Sequence, residues 1–251
     1  SRGKSVYALI EGADRKDRIV SMIPLDHLDV EDRYLVFLSR LGVVKRTAVS
    51  EFASTRAGGV KAAGVKDGDV ILDVALSDAT AEVMLLSRSG RAIRFPEDEI
   101  TVVGRTAQGV KGMTLKDDEV VGMLMIRRDS TVLTVSEDGS GKRTPVSDFP
   151  LQKRGGLGTL AVAAGADVSP VVCALEVLEA DEVMIVTAGG QVTRAAADSV
   201  PLQGRRTQGR IIVRLEAGDR VVEVTRAQGR GGAPARDDVS TDADGQLDLL
   251  G

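Results

Sequence analysis

The sequence predicts an all-β fold in which four-stranded units of about 50 residues stack radially into a propeller-like disc. Three observations predict it. Short apolar runs rich in β-formers recur along the chain, each is followed by a glycine turn and a second run, and glycine-plus-basic anchors repeat in step with them. With 43% hydrophobic residues the 251-residue chain can bury a large core, and its 28 glycines supply many tight turns.

The first strand of each unit reads Tyr34-Leu35-Val36-Phe37-Leu38, Val83-Met84-Leu85-Leu86, Val132-Leu133-Thr134-Val135 and Val183-Met184-Ile185-Val186. These runs are too short for helices and suit strands. Gly42, Gly90, Gly139 and Gly190 then mark hairpin turns, and an Arg stands four residues after each: Arg46, Arg94, Arg143 and Arg194. A second anchor follows: Arg56-Ala57-Gly58-Gly59-Val60-Lys61, Gln108-Gly109-Val110-Lys111-Gly112, Arg154-Gly155-Gly156-Leu157-Gly158 and Gln208-Gly209-Arg210. A closing strand pair is expected around 66–72 in the first unit and 216–222 in the last, making about four strands per unit. Such a unit is too thin to bury a core alone, so neighbours must stack.

The predicted units span 33–76, 81–126, 130–177 and 181–226. Residues 1–25 match only a second half, with Gly3-Lys4 as the later anchor and Arg18-Ile19-Val20 as the closing strand, so the chain is expected to be a piece of something longer. Residues 227–251 form a predicted flexible acidic tail: Gly229-Arg230-Gly231-Gly232 reads as a linker, and from Asp237 onward there are acids but no Lys or Arg.

Composition excludes whole classes of chemistry. Cys173 and His27 are the only cysteine and histidine, so an internal disulfide, a multi-Cys/His zinc site and a His triad built elsewhere than on His27 are ruled out. Cys173 reads as a small core residue and His27 as a surface linker residue. No run approaches the 18 apolar residues of a membrane helix, and the start lacks the order of a signal peptide, which fits a cytoplasmic protein.

The recurring cations point to a nucleic-acid partner. Lys and Arg contact phosphates without reading sequence, and a ring of them supplies a curved track whose many weak contacts offset the cost of bending DNA, on the order of 1–6 kcal/mol for a short site. The first anchors offer Lys45, Arg46, Arg91, Arg94, Lys142, Arg143 and Arg194. The second anchors and their flanks offer Arg56, Lys61, Arg105, Lys111, Lys153, Arg154, Arg205, Arg206 and Arg210. Gly155, Gly156 and Gly158 are expected to let the backbone approach a phosphate. Trp is absent and only Phe95 borders a basic anchor, which argues against base stacking on single strands and for duplex backbone. A solvated sheet face would place the same cations, so a basic rim and an acidic remainder are the distinguishing expectation.

Gln152-Lys153-Arg154-Gly155-Gly156-Leu157-Gly158 resembles the glycine-rich basic box of the DNA gyrase A subunit, with Leu157 standing where that family usually has a third cation. Gly104–Met113 and Ser87–Phe95 resemble the family's repeats too. The resemblance implies that protein's C-terminal domain, a β-pinwheel whose blades exchange a strand with a neighbour. It further implies a non-catalytic domain that wraps duplex DNA with positive handedness, so that an ATP-dependent type II topoisomerase introduces negative supercoils. The implied partners are double-stranded DNA, the rest of gyrase A and gyrase B. ATP and Mg2+ would belong to other parts of that holoenzyme, with no cofactor or metal in this domain and no membrane partner. In the family the main box lies in the first blade, whereas here it lies in the third full unit. The resemblance leaves the corresponding domain of topoisomerase IV open. It also leaves two readings of the tail, an inert solvating end or a competitor with DNA for the basic rim. A propeller used for protein contact would need an exposed apolar or aromatic patch, and a carbohydrate-active propeller would need carboxylates converging on a central funnel, whereas the acids here scatter over turns.

Overall fold

A computed structural model describes residues 5–8, 12, 16, 18–54, 59–165 and 168–227. Among them there is no α-helix, only 15 strands and short 3-10 turns. Four antiparallel sheets follow one another along the chain. The first contains β1 (Tyr34–Ser39), β2 (Val43–Ala48) and β3 (Ile71–Ser77), joined by β6 (Val110–Lys111). The second contains β4 (Glu82–Ser87), β5 (Arg91–Pro96) and β7 (Val120–Ile126), joined by β10 (Thr159–Leu160). The third contains β8 (Thr131–Ser136), β9 (Ser140–Pro145) and β11 (Val171–Val177), joined by β14 (Arg210–Ile211). The last has β12 (Glu182–Thr187), β13 (Val192–Ala196) and β15 (Val221–Ala227).

The fourth strand of each of the first three blades therefore comes from the following repeat. Val110 and Lys111 pair with Val44 and Val43, Thr159 and Leu160 with Ala92 and Arg91, and Arg210 and Ile211 with Gly141 and Ser140. This is the strand exchange of a pinwheel. The expected closing pair is instead a single strand that begins after the turn, as β3 does after Lys66–Asp69. Arg18, Ile19 and Val20, expected to close the half unit, form no strand. Gly3-Lys4 and the tail beyond Ala227 lie outside the described residues.

Blades stack because the sheets between them are apolar on both faces, whereas the last sheet leaves Met184 and Val192 exposed on its outer face. Along β4, Val83 and Leu85 face a core shared with the first blade, beside Val36, Leu38 and Ile93; Met84 and Leu86 face a core shared with the third, beside Val132, Phe149 and Ala174. Leu133 and Val135 likewise meet Val183 and Ile185 between the third and fourth blades. The period-2 alternation of a strand thus feeds two cores rather than a core and solvent. Cys173 belongs to the last of these cores, and burial pushes its thiol up to about 12; His27 is exposed.

The strands β3, β7, β11 and β15 pack successively against one another, which places them on the inner side of the disc. The exchanged strands β6, β10 and β14 lie at the opposite edge of their sheets, so the outer rim is made of exchange arms.

Candidate nucleic-acid interface

Each arm leaves a short 3-10 turn, crosses to the preceding blade and runs beside its second strand in parallel, through bridges of Val102 to Arg46, Leu151 to Arg94 and Leu202 to Arg143. It then loops and returns antiparallel as the exchanged strand. A left-handed glycine makes the return possible: Gly109, Gly158 and Gly209 have φ of +91°, +66° and +90°. At Gly209 a Cβ would stand 2.6 Å from the Gly141 carbonyl oxygen, so only glycine fits.

Successive arms are hydrogen-bonded to each other in register. The N–H of Gly64 donates to the Ala107 carbonyl at 3.0 Å, that of Thr114 to Gly156 at 2.8 Å and that of Ala163 to Thr207 at 3.2 Å. The box adds more at its junction: Gly155 N–H donates to Gly112 at 2.6 Å, Thr114 Oγ1 donates to the Gly155 carbonyl at 2.6 Å, and Arg154 Nη1 donates to the Lys111 carbonyl at 3.0 Å. The glycines expected to cradle phosphate are thus needed by protein backbone. Gly155 and Gly156 latch two arms, and a Cβ on Gly158 would lie under 3.0 Å from the Ala92 carbonyl.

The cations separate into two groups. Lys45, Arg46, Lys142 and Arg143 are buried, with Lys142 fully so. Lys142 Nζ donates to the carbonyls of Gly204 and Arg205 at 2.8 and 2.6 Å and to Thr207 Oγ1 at 3.2 Å. Lys45 Nζ donates to the Ala62 carbonyl at 2.7 Å and to that of Arg105, and lies over the Phe37 ring. Burial pulls both ammoniums down to about 8, helped at Lys142 by the Arg205 charge and opposed there by Asp148. The arginines four residues after the turns hold the next repeat's 3-10 turn. Arg94 Nη1 donates to Val146 and Phe149 carbonyls at 2.9 and 3.0 Å, Arg143 Nε donates to Val200 at 3.0 Å, and Arg46 pairs at 3.4 Å with the buried Glu97, which also accepts from Ser77.

Of the residues that the sequence offers as phosphate contacts at the rim, Lys45, Arg46, Lys142 and Arg143 lie buried inside the blade stack and Arg94 is half-buried. A sheet covered on both faces leaves the second hairpin strand no solvated side. Arg91 and Arg154 are half-buried and also hold the arms, Arg91 through the Leu157 and Gly158 carbonyls and Arg154 through Glu99 and Lys111. Arg194 is exposed and pairs with Glu182. Arg105 is half-buried, and Arg205, also half-buried, lies 5.9 Å over the Phe149 ring.

The second group is Lys61, Lys111, Lys153, Arg206 and Arg210. All are exposed, all belong to the arms or the equivalent segment of the first repeat, and none pairs with a carboxylate among the described residues. Arg56 lies outside the described residues. Asp69, Asp118 and Asp219 sit at the hairpin turns and accept from the N–H groups of Leu41, Ser89 and Gly189 at 3.0, 3.1 and 2.8 Å, while Asp98, Asp148 and Asp198 are exposed on the 3-10 turns where the arms begin. Exposed apolar residues of the rim that the sequence reading missed include Val102, Leu151 and Leu202, which are 42%, 52% and 57% exposed. Their alignment on the second-anchor glycines was the available signal.

Comparison with known proteins agrees with this architecture. A family model described as DNA gyrase C-terminal domain, beta-propeller, matches residues 33–78, 81–127, 130–167 and 181–228. The DNA gyrase A subunit of Pseudomonas aeruginosa is 36% identical over 205 residues, covering 81% of this chain and 22% of the relative. That of Staphylococcus aureus strain MRSA252 is 37% identical over 218 residues, covering 86% and 24%. The chain thus spans about a quarter of the length of these relatives. A solved DNA gyrase A C-terminal domain superposes with a TM-score of 0.79 at 27% identity, over 90% of this chain and 75% of that one. The C-terminal domain of a DNA topoisomerase IV gives 0.85 at 24% identity, over 90% and 71%, a likeness of fold alone. With four matched repeats spanning most of the chain and the strand-exchanged blades in place, the chain belongs to the family of DNA gyrase C-terminal β-propeller domains.

Proposed function

We propose that this domain binds duplex DNA along its outer rim and wraps it, as a non-catalytic module of gyrase A in the bacterial cytoplasm and nucleoid. The wrapped segment would be handed to the remainder of gyrase A and to gyrase B, where ATP and Mg2+ act. The observation that carries the reading is the set of exposed cations without carboxylate partners among the described residues, Lys61, Lys111, Lys153, Arg206 and Arg210, held on arms that join one another around a curved edge. Arg105, Arg154 and Arg205 flank them. Such a track meets phosphates on successive turns and reads no sequence. The curated relatives favour gyrase over topoisomerase IV, since those compared carry the gyrase name.

The test is the salt dependence of binding to a linear mixed-sequence duplex. The logarithm of affinity should fall steeply with log salt, and each of Lys111→Ala, Lys153→Ala, Arg206→Ala and Arg210→Ala should reduce the slope by about 1. A flat salt response, or slopes indifferent to these changes, contradicts the reading.

A further inference from the structure

Resting on that reading, the geometry points to Val102, Leu151 and Leu202 as apolar contacts to the deoxyribose surface of the wrapped duplex, a second component of the rim beside its phosphate-binding cations. The three occupy one structural position. Each forms the parallel bridge of its arm to the preceding blade, beside Arg46, Arg94 and Arg143. The following residue fixes the arm there: Val103 N–H donates to the Arg46 carbonyl at 2.9 Å, Gln152 to Arg94 and Gln203 to Arg143 at 2.8 Å.

Single exposed aliphatic residues are ordinary on a protein surface. Here the exposure repeats in register, while two residues earlier in each arm Ile100, Phe149 and Val200 are 0%, 2% and 1% exposed. The arm has a buried place for an apolar side chain and uses it, so the outward one is an addition.

Charge selects the occupant. Arg105, Lys153 and the Arg205–Arg206 pair follow the apolar residues by two to four positions on the same arms, an arrangement complementary to a polyanion that also offers apolar area. The sugar faces lining the minor groove of duplex DNA are such area, and a groove compressed by bending toward the protein meets whatever projects between the phosphate contacts. Sugar contact carries no counterion release, so its contribution is independent of salt.

That difference gives the test. The variant Val102→Thr/Leu151→Ser/Leu202→Ser is titrated against the linear mixed-sequence duplex over a range of salt, beside wild type and the apolar control Leu151→Met/Leu202→Met. The polar variant should lose about tenfold in affinity at every salt concentration with the slope unchanged, and the control should bind as wild type does. Unchanged affinity of the polar variant overturns the proposal and frees the apolar positions for a protein partner. A changed slope overturns it too, since the substitutions would then act through the phosphate contacts. Equal loss in the apolar control overturns it by showing that the arm itself is disturbed. If wild type binds no duplex, the wrapping function fails first, and the proposal that rests on it falls with it, an outcome distinct from these three.

Discussion

The ammonium of Lys142 donates a 2.6 Å hydrogen bond to the carbonyl of Arg205, joining a fully buried cation of one repeat to the base of the next repeat's rim loop. Its neighbour in chemistry, Lys153, is exposed on the rim. The two lysines therefore answer to different measurements. Lys142→Ala removes a donor from three oxygens and empties a fully buried position, a loss of about 1–3 kcal/mol in urea unfolding. Lys153→Ala should change stability by less than about 0.5 kcal/mol, its effect falling on the salt slope of DNA binding. Equal stability effects would contradict the division.

The same burial makes Lys45 and Lys142 sensitive to pH. Their ammoniums titrate near 8 in the folded chain against an ordinary 10.5. Between those values the unfolded chain binds more protons, so these two residues add stability as pH rises from about 8 to about 10.5. The gap in unfolding free energy between wild type and Lys45→Met/Lys142→Met should shift in favour of wild type across that window. A gap independent of pH would contradict the depressed values, as would lysine side-chain NMR resonances that all titrate near 10.5.

Glycines of the box should differ sharply. Gly158 combines φ of +66° with a Cβ position overlapping the Ala92 carbonyl, so Gly158→Ala forces the exchanged strand Thr159–Leu160 off its blade. Gly155, at φ +82°, has its nearest neighbour 3.5 Å from the Cβ position, and Gly155→Ala should cost only the backbone strain, about 1 kcal/mol. Amide hydrogen exchange at Thr159 and Leu160 checks this: protection is lost in the first variant and retained in the second.

Arg143 and Arg194 occupy the same position after their turns and are expected to behave oppositely. Arg143 is buried against the Val200 and Asp198 carbonyls, so Arg143→Ala should destabilise by about 2–4 kcal/mol. Arg194 makes an exposed pair with Glu182, and Arg194→Ala should cost less than about 1 kcal/mol. Thermal melts of the two variants distinguish the cases.

These contrasts mark what can be read from residues alone. The hairpins are legible because their turns require left-handed backbone, met by Gly42, Gly90, Gly139 and Gly190 at φ of +78° to +87°. The register of the arginines is legible for the same reason. Their surroundings are not, because a basic residue on a hairpin strand looks alike whether that face meets water or another blade. The signal lies in Val83–Leu86, four consecutive apolar residues that are all buried and so require cover on both faces. Strand exchange leaves no pattern of its own: a two-residue strand such as Val110–Lys111 is too short to show periodicity. Its trace is the second glycine anchor, whose demand comes from the neighbouring blade's backbone.

The proposed wrapping of duplex DNA around the rim with a fixed hand can be read from the linking number of closed circular DNA relaxed by a separate nicking-closing enzyme in the presence of this domain. Wrapping with positive handedness gives a positive shift that grows with protein bound and disappears in Lys111→Ala/Lys153→Ala/Arg206→Ala/Arg210→Ala. Binding that leaves the linking number unchanged would contradict it.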